Sequence, residues 1–213
     1  MMNSFPKIFV AGLLFCTPLV TGTPAGAEDF TGNDLREIRI GMVANDLSKT
    51  DYAGLACAAA PAQKLANWES AKDCPAGDAG LRAVRFAYDP ASNPEGTMVA
   101  GHPAILTALI DNAGRVAGLL IETDPKTRLY LRKKAFLLGV QAKFRYGAEG
   151  WTCSEAQPGT DETSVGGVYL KEQCSKTVGG RHVAVERKLF RRANQDIKSF
   201  VDETRISILR AKG

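Results

Sequence analysis

The chain has 213 residues, 45% of them hydrophobic and 23% charged, with a formal net charge of +4. That length suits one sizeable domain or two small ones, and no apolar run is long enough for a comfortable helical membrane span. The modest positive charge comes without a nucleic-acid-binding motif, so nucleic acid is not an expected partner.

The N-terminus reads as a secretory signal. Lys7 precedes an apolar run over residues 8–20, and Ala25-Gly26-Ala27 forms a small-x-small cleavage site before Glu28. Leu13-Leu14-Phe15-Cys16 has the Leu and Cys of a lipoprotein signal, but Phe15 stands where such signals need a small residue. Residues 1–27 are therefore expected to be a signal peptide, leaving 28–213 as a periplasmic or secreted chain. Four cysteines remain: Cys57, Cys74, Cys153 and Cys174. An even number in an exported chain favours disulfides over metal or redox chemistry, and the absence of a C-x-x-C pair argues against a thioredoxin-like role. Three pairings are possible. Cys57–Cys74 and Cys153–Cys174 are expected because each pair lies within one half of the chain, and each would add about 3 kcal/mol.

Charge is split unevenly. Residues 28–124 carry 8 Lys+Arg against 14 Asp+Glu, whereas residues 125–213 carry 18 against 9. Such a split can hold two halves together or present a basic face to an anionic partner.

Asn33 or Asp34 can cap a turn before a short strand over residues 37–42. Residues 48–76 are Ala-rich and irregular, with a short helix predicted over 62–71 between Cys57 and Cys74, and Trp68 in the core. Alternation in residues 81–88 predicts a strand, ended by Asp89-Pro90 and a loop. Residues 104–110 and 115–123 are rich in branched aliphatics, and Asp111-Asn112-Ala113-Gly114 between them is hairpin chemistry. Apolar residues on both faces of this hairpin predict central strands covered on both sides.

Asp124-Pro125 then suits a helix start, and Tyr146-Gly147 a stop with Gly147 in the left-handed cap. Leu129, Phe136, Val140 and Phe144, with Leu137 beside them, fall on one side as the expected apolar stripe. Lys133 falls inside it and would have to snorkel. The same stretch carries Lys126, Arg128, Arg132, Lys133, Lys134, Lys143 and Arg145 and no acid. Arg128, Arg132, Lys134, Lys143 and Arg145 are the candidate binding residues for an acidic protein or an anionic envelope polymer; a solvated helix back is the plainer explanation of the same charges.

Residues 151–153 predict a short strand, followed by a polar loop. Residues 165–174 and 181–190 predict a second hairpin around Val178-Gly179-Gly180. At the end of the chain Ile197, Phe200, Val201, Thr204 and Ile208 fit a helix, whereas Phe200, Thr204, Ile206 and Ile208 fit a strand, and a strand over 204–209 is the expectation chosen. The expected fold is α+β: antiparallel sheet with one long helix packed across it, stapled by disulfides, as a single domain over 28–213 or two halves divided at 124.

With its signal-like leader, paired cysteines and the Asp111-Asn112-Ala113-Gly114-Arg115-Val116 hairpin, the chain resembles uncharacterised exported proteins of Gram-negative bacteria. Through Ile40-Gly41-Met42 and the same hairpin it resembles small envelope modules of the outer-membrane-assembly lipoprotein type. It lacks their acylated cysteine and places its helix between strands, so the resemblance transfers no functional residues.

Catalytic motifs are absent from the sequence: there is no G-x-S-x-G, H-E-x-x-H, phosphate-cradling loop or dinucleotide fingerprint. No catalytic residue, metal ligand or cofactor is assigned. His102, flanked by Gly and Pro, supports an alternative as a small exported hydrolase if Asp89, Glu95 or a hydroxyl lies beside it. His182 suits a surface role at the start of a strand. Glu155, Asp161 and Glu162 crowd one loop but lack the oxygen spacing of a calcium site. The first expectation is therefore a non-catalytic binding or interaction protein of the cell envelope.

Overall fold

The computed structural model describes residues 30–196 and 198–211. The signal-peptide expectation falls on residues outside that set. Eleven strands form one antiparallel sheet: β1 (Tyr52–Cys57), β2 (Ala60–Lys64), β3 (Arg82–Tyr88), β4 (Met98–Val99), β5 (His102–Ile110), β6 (Val116–Thr123), β7 (Thr152–Glu155), β8 (Glu162–Thr163), β9 (Leu170–Val178), β10 (Arg181–Arg192) and β11 (Phe200–Arg210). The main order is β2-β1-β3-β5-β6-β11-β10-β9-β7, with β4 against β5 and β8 against β10. Two helices, α1 (Leu129–Arg132) and α2 (Phe136–Arg145), interrupt the chain between β6 and β7.

This corrects the α+β expectation. The fold is mostly antiparallel β, 46% strand and 14% helical. Two differences account for it. The Ala-rich stretch is not helical: residues 52–57 and 60–64 form an edge hairpin, where Pro61 costs no central hydrogen bond. Helical turns begin only at Trp68–Asp73, capped by Asn67 through its Oδ1 and Ser70 N (3.1 Å). The long basic helix is also broken. Asp124 closes a turn by accepting from Lys126 N (2.9 Å), and α1 ends after four residues. Gly147 does sit at the α2 exit, at φ +86°.

The expected strand over residues 37–42 is likewise absent. Asp34 accepts from Ile40 N (2.7 Å), and Leu35 pairs with Ile38, folding this stretch into a tight turn. The remaining strand expectations are met in kind, except that the strand expected over 165–174 begins only at Leu170 and runs to Val178, with Val165 and Val168 in an isolated bridge before it. Residues 81–88 supply β3, β5 and β6 form the central hairpin, β9 and β10 turn at Gly179-Gly180, and the C-terminus is β11.

The sheet joins the two halves at one seam, where β11 pairs with β6 from Arg205↔Glu122 to Leu209↔Gly118. Period-two alternation sets its faces. On β11, Phe200, Asp202, Thr204, Ile206 and Ile208 are buried, whereas Glu203 and Arg205 between them are exposed. The buried face continues through Val183 and Val185 of β10, Leu119 and Ile121 of β6, Leu106 and Ala108 of β5, and Val84 and Phe86 of β3. It is covered by residues 30–47, by the turn holding Trp68, and by α2. The opposite face of β5 is only half-buried at Ile105 and Leu109, so the expectation of cover on both sides is not met.

Both disulfides have the expected pairing, Cys57–Cys74 and Cys153–Cys174. The first ties β1 to the end of the Trp68 turn, and the second ties β7 to β9. Trp68 is buried, as expected, among Tyr52 and Phe86 at ring distances of 5.2 and 5.3 Å.

A buried ion pair fastens the N-terminal cover. Arg181 Nε donates to Asp34 Oδ1 at 2.6 Å, and Tyr146 Oη donates to the same oxygen at 2.8 Å. The Arg181 guanidinium also donates to the carbonyls of Phe30 and Gly179 and lies 4.8 Å from the Phe30 ring. Gly179 is required here: a Cβ would come within 2.5 Å of Phe30 N, and its φ is +52°. Removing one member of such a pair strands the other charge in a dry site. Asp34→Leu is therefore expected to cost about 3–5 kcal/mol in urea unfolding. The double variant Asp34→Leu with Arg181→Met should lose less than the sum of the two single losses. Additive losses would show that the pair is not coupled.

Candidate functional site

The apolar stripe expected to face the core faces solvent. On α2, Leu138, Gly139 and Ala142 are buried, with Ala135 just before the helix and Tyr146 just after it. Val140 and Phe144 point outward, at 55% and 83% exposure; Phe136, 40% exposed, lies at the flank with the Arg187 guanidinium 5.8 Å from its ring centroid, and Leu129 and Tyr130 of α1 are exposed at 38% and 60%. The reason is steric. A Cβ on Gly139 would lie 3.2 Å from Val185 Cγ1 and from Arg187 Cδ, so α2 approaches β10 and β11 through its small residues. Thr204 Oγ1 holds the helix start by donating to the Ala135 carbonyl at 2.8 Å. A Phe in place of these small residues would lift the helix off the sheet.

The candidate cations divide into two sets. Arg132 turns back to the carbonyls of Pro125, Thr127 and Phe200 (3.3–3.5 Å) and lies over the Phe200 ring. Lys143 pairs with Glu172 at 3.2 Å, and Arg145 donates to the Asn33 carbonyl. These three are used in holding the helices down. Arg128 and Lys134 are exposed and have no ion-pair partner among the described residues, and the same holds for Lys126 and Lys133. Lys133 belongs to the outward stripe and needs no snorkelling. One segment, residues 126–144, thus carries both cations without an ion-pair partner among the described residues and exposed apolar side chains. The apolar members Tyr130, Phe136, Val140 and Phe144 were missed as surface residues. The Ala135, Leu138, Gly139, Ala142 spacing, a second and smaller apolar stripe, was the available signal.

Beneath the helices the sheet carries charge. Asp202 is buried, and its Oδ1 has no hydrogen-bond partner among the described residues; Nε of Arg187 and Nε of Arg132 are in the same condition. Burial pushes the Asp202 carboxyl up to about 6, against the opposing pull of Arg187 and Arg132, and burial also pushes the Arg187 guanidinium down. Elsewhere on this face, a cleft of about 200 Å³ opens between α2, the N-terminal cover and the sheet. Its walls include Leu138, Ile121, Ile206 and Ile208, with Asp34 and Arg145 at its polar part. On the opposite sheet face, a cleft of about 300 Å³ mixes Arg85, Lys188 and Arg205 with Glu122, Glu186 and Glu203, so it offers no field of one sign.

His102 is not in a loop but opens β5. It is buried, its Nδ1 is 2.7 Å from the Pro103 carbonyl, and its Nε2 has no hydrogen-bond partner among the described residues. Neither Asp89 nor Glu95 bonds to it. His182 is exposed at the start of β10, with Nδ1 3.3 Å from Thr177 Oγ1. In the acidic loop, Asp161 pairs with Arg192 at 2.6 Å. Glu162 is held by Lys171, Gly159 N and Tyr169 Oη, and these donors, Lys171 foremost, lower its carboxyl to about 2. Glu155 lies exposed on β7. Cys153, Glu172 and Cys174 are close enough to surround an ion, but both cysteines are spent in a disulfide and offer no thiolate.

No protein-family model, curated protein or solved structure matches this chain.

The Asp202 site makes stability depend on pH in a defined direction. The fold favours the neutral carboxyl, so its contribution is complete below pH about 4 and is lost as pH rises to about 6. Asp202→Asn should remove this dependence and, at pH 7, raise the melting temperature by about 2–4 °C, a discounted gain of about 1 kcal/mol. Parallel melting-temperature curves for variant and wild type from pH 4 to 7 would contradict the assignment.

Proposed function

We propose that this is a non-catalytic binding or interaction protein of the cell envelope, exported to the periplasm or beyond, that meets an anionic component through α1–α2. The two disulfides fit a chain that folds in an oxidising compartment. No helix among the described residues is long and apolar enough to cross a membrane. One observation carries the reading: Arg128, Lys133 and Lys134 are exposed and unpaired among the described residues, on the same segment as the outward Tyr130 and Phe136. A basic surface of this kind attracts acidic proteins and anionic polymers, and its pull weakens with salt. His102 adds no second reading, since its ring is buried and no carboxylate among the described residues orients it.

Charge reversal at Arg128, Lys133 and Lys134 together is expected to weaken low-salt binding to a soluble polyanion such as dextran sulfate by about 10-fold or more. The melting temperature should hardly move, because all three side chains are solvent-exposed. Titration of wild type and variant side by side checks this. Equal affinities would refute the reading.

A further inference from the structure

We infer that the anionic component met by α1–α2 is the surface of an anionic phospholipid bilayer, on which α2 lies with Phe136, Val140 and Phe144 inserted among the lipids. The inference rests on the reading of α1–α2 as the docking face and names the partner for it.

Soluble and membrane-bound anions would treat the exposed side chains differently. A soluble polyanion pairs with Arg128, Lys133 and Lys134 but leaves the apolar residues wet. Phe136, Val140 and Phe144 recur every four residues and form a ridge along one side of α2. Val140 and Phe144 stand out from the surface, Phe144 at 83% exposure, while Phe136 is 40% exposed beside Arg187 at the foot of the ridge; none of them lines the cleft between α2 and the sheet. Lys126, Arg128, Lys133 and Lys134 lie along the same segment, with no acid from residue 125 to residue 147. Apolar and aromatic side chains beside unopposed cations are the composition of a helix that rests in a lipid interface. The ridge enters the headgroup and acyl boundary, while the cations meet lipid phosphates.

Each cation near an anionic lipid surface adds to binding, and this part is screened by salt. Apolar insertion is not screened, so the two contributions can be separated. The small-residue packing of Gly139 and Ala142 against the sheet keeps the ridge outward without the lipid present. No folding of the helix is therefore charged against docking, which matters for a helix of ten residues.

The test uses the oxidised exported chain, residues 28–213, with vesicles of phosphatidylcholine alone and of phosphatidylcholine mixed with phosphatidylglycerol, and dextran sulfate as the soluble polyanion. Wild type is expected to sediment with the mixed vesicles and not with the neutral ones. Phe136→Ser, Val140→Ser and Phe144→Ser combined should lose about 10-fold or more of vesicle affinity while keeping the affinity for dextran sulfate. Reversal of Arg128, Lys133 and Lys134 should lose both. As a second readout, Phe144→Trp emission should shift to the blue on mixed vesicles and stay unshifted with dextran sulfate. Binding to dextran sulfate without binding to vesicles would overturn the lipid inference and leave the docking face standing. So would vesicle binding unaffected by the serine variant, or a preference for a purified acidic protein over lipid. Failure of wild type to bind any anionic probe would remove both.

Discussion

How closely α2 can lie on the sheet decides which of its two apolar stripes is seen by solvent. Gly139 has Val185, Arg187 and Thr204 directly beneath it, with so little room that an added Cβ would already press on two of them. Ala135 and Ala142 continue that small-residue face, and Leu138 reaches down beside Ile206 and Ile208. Once these residues face the sheet, helical geometry directs Phe136, Val140 and Phe144 away from it. The exposed ridge therefore follows from backbone approach and not from a shortage of core. The core is built separately, by the alternating strands of one continuous sheet.

The helix is also held at both ends. Thr204 bonds the backbone at its start, and Tyr146 at its exit reaches the same Asp34 oxygen as Arg181. That buried pair links three parts of the chain distant in sequence: the N-terminal cover, the β9–β10 turn and the end of α2. Its geometry favours a fixed arrangement over extra stability, since a buried pair gains little over an apolar replacement once desolvation is counted. Of the seven cations between residues 125 and 147, Arg132, Lys143 and Arg145 serve this anchoring, and the others remain toward solvent.

Strands with regular alternation and clear turns were legible from residues alone. The β5–β6 hairpin, the β9–β10 turn and both disulfides follow from local patterns, whereas the residues of β11 fit helical spacing as well as alternation. Where a side chain competes with the backbone, residue pattern points to the wrong element. Asp34 folds residues 34–40 into a turn that propensity reads as strand. Asp124 does the same where a helix start was expected. The Ala-rich stretch has helical propensity, but the sheet edge takes it, as tertiary pairing often overrides propensity. The sequence of α2 holds two apolar stripes, one bulky and one small. Bulk is the usual guide to the core, and here it pointed to the wrong side, because the packing distance is set by Val185, Arg187 and Thr204 on strands far along the chain. The charge split was legible as well. Which cations are free was not, because Glu172, Phe200 and Asn33 become neighbours only after folding.

The functional account therefore depends on the orientation of a single ten-residue helix. Hydroxyl-radical footprinting read out by mass spectrometry tests that orientation most directly, because it reports side-chain exposure residue by residue. The account predicts rapid oxidation of Tyr130, Phe136 and Phe144 in the folded, oxidised protein, with Leu138 and Tyr146 protected. Protection of Phe136 and Phe144 together with rapid modification of Leu138 would contradict it.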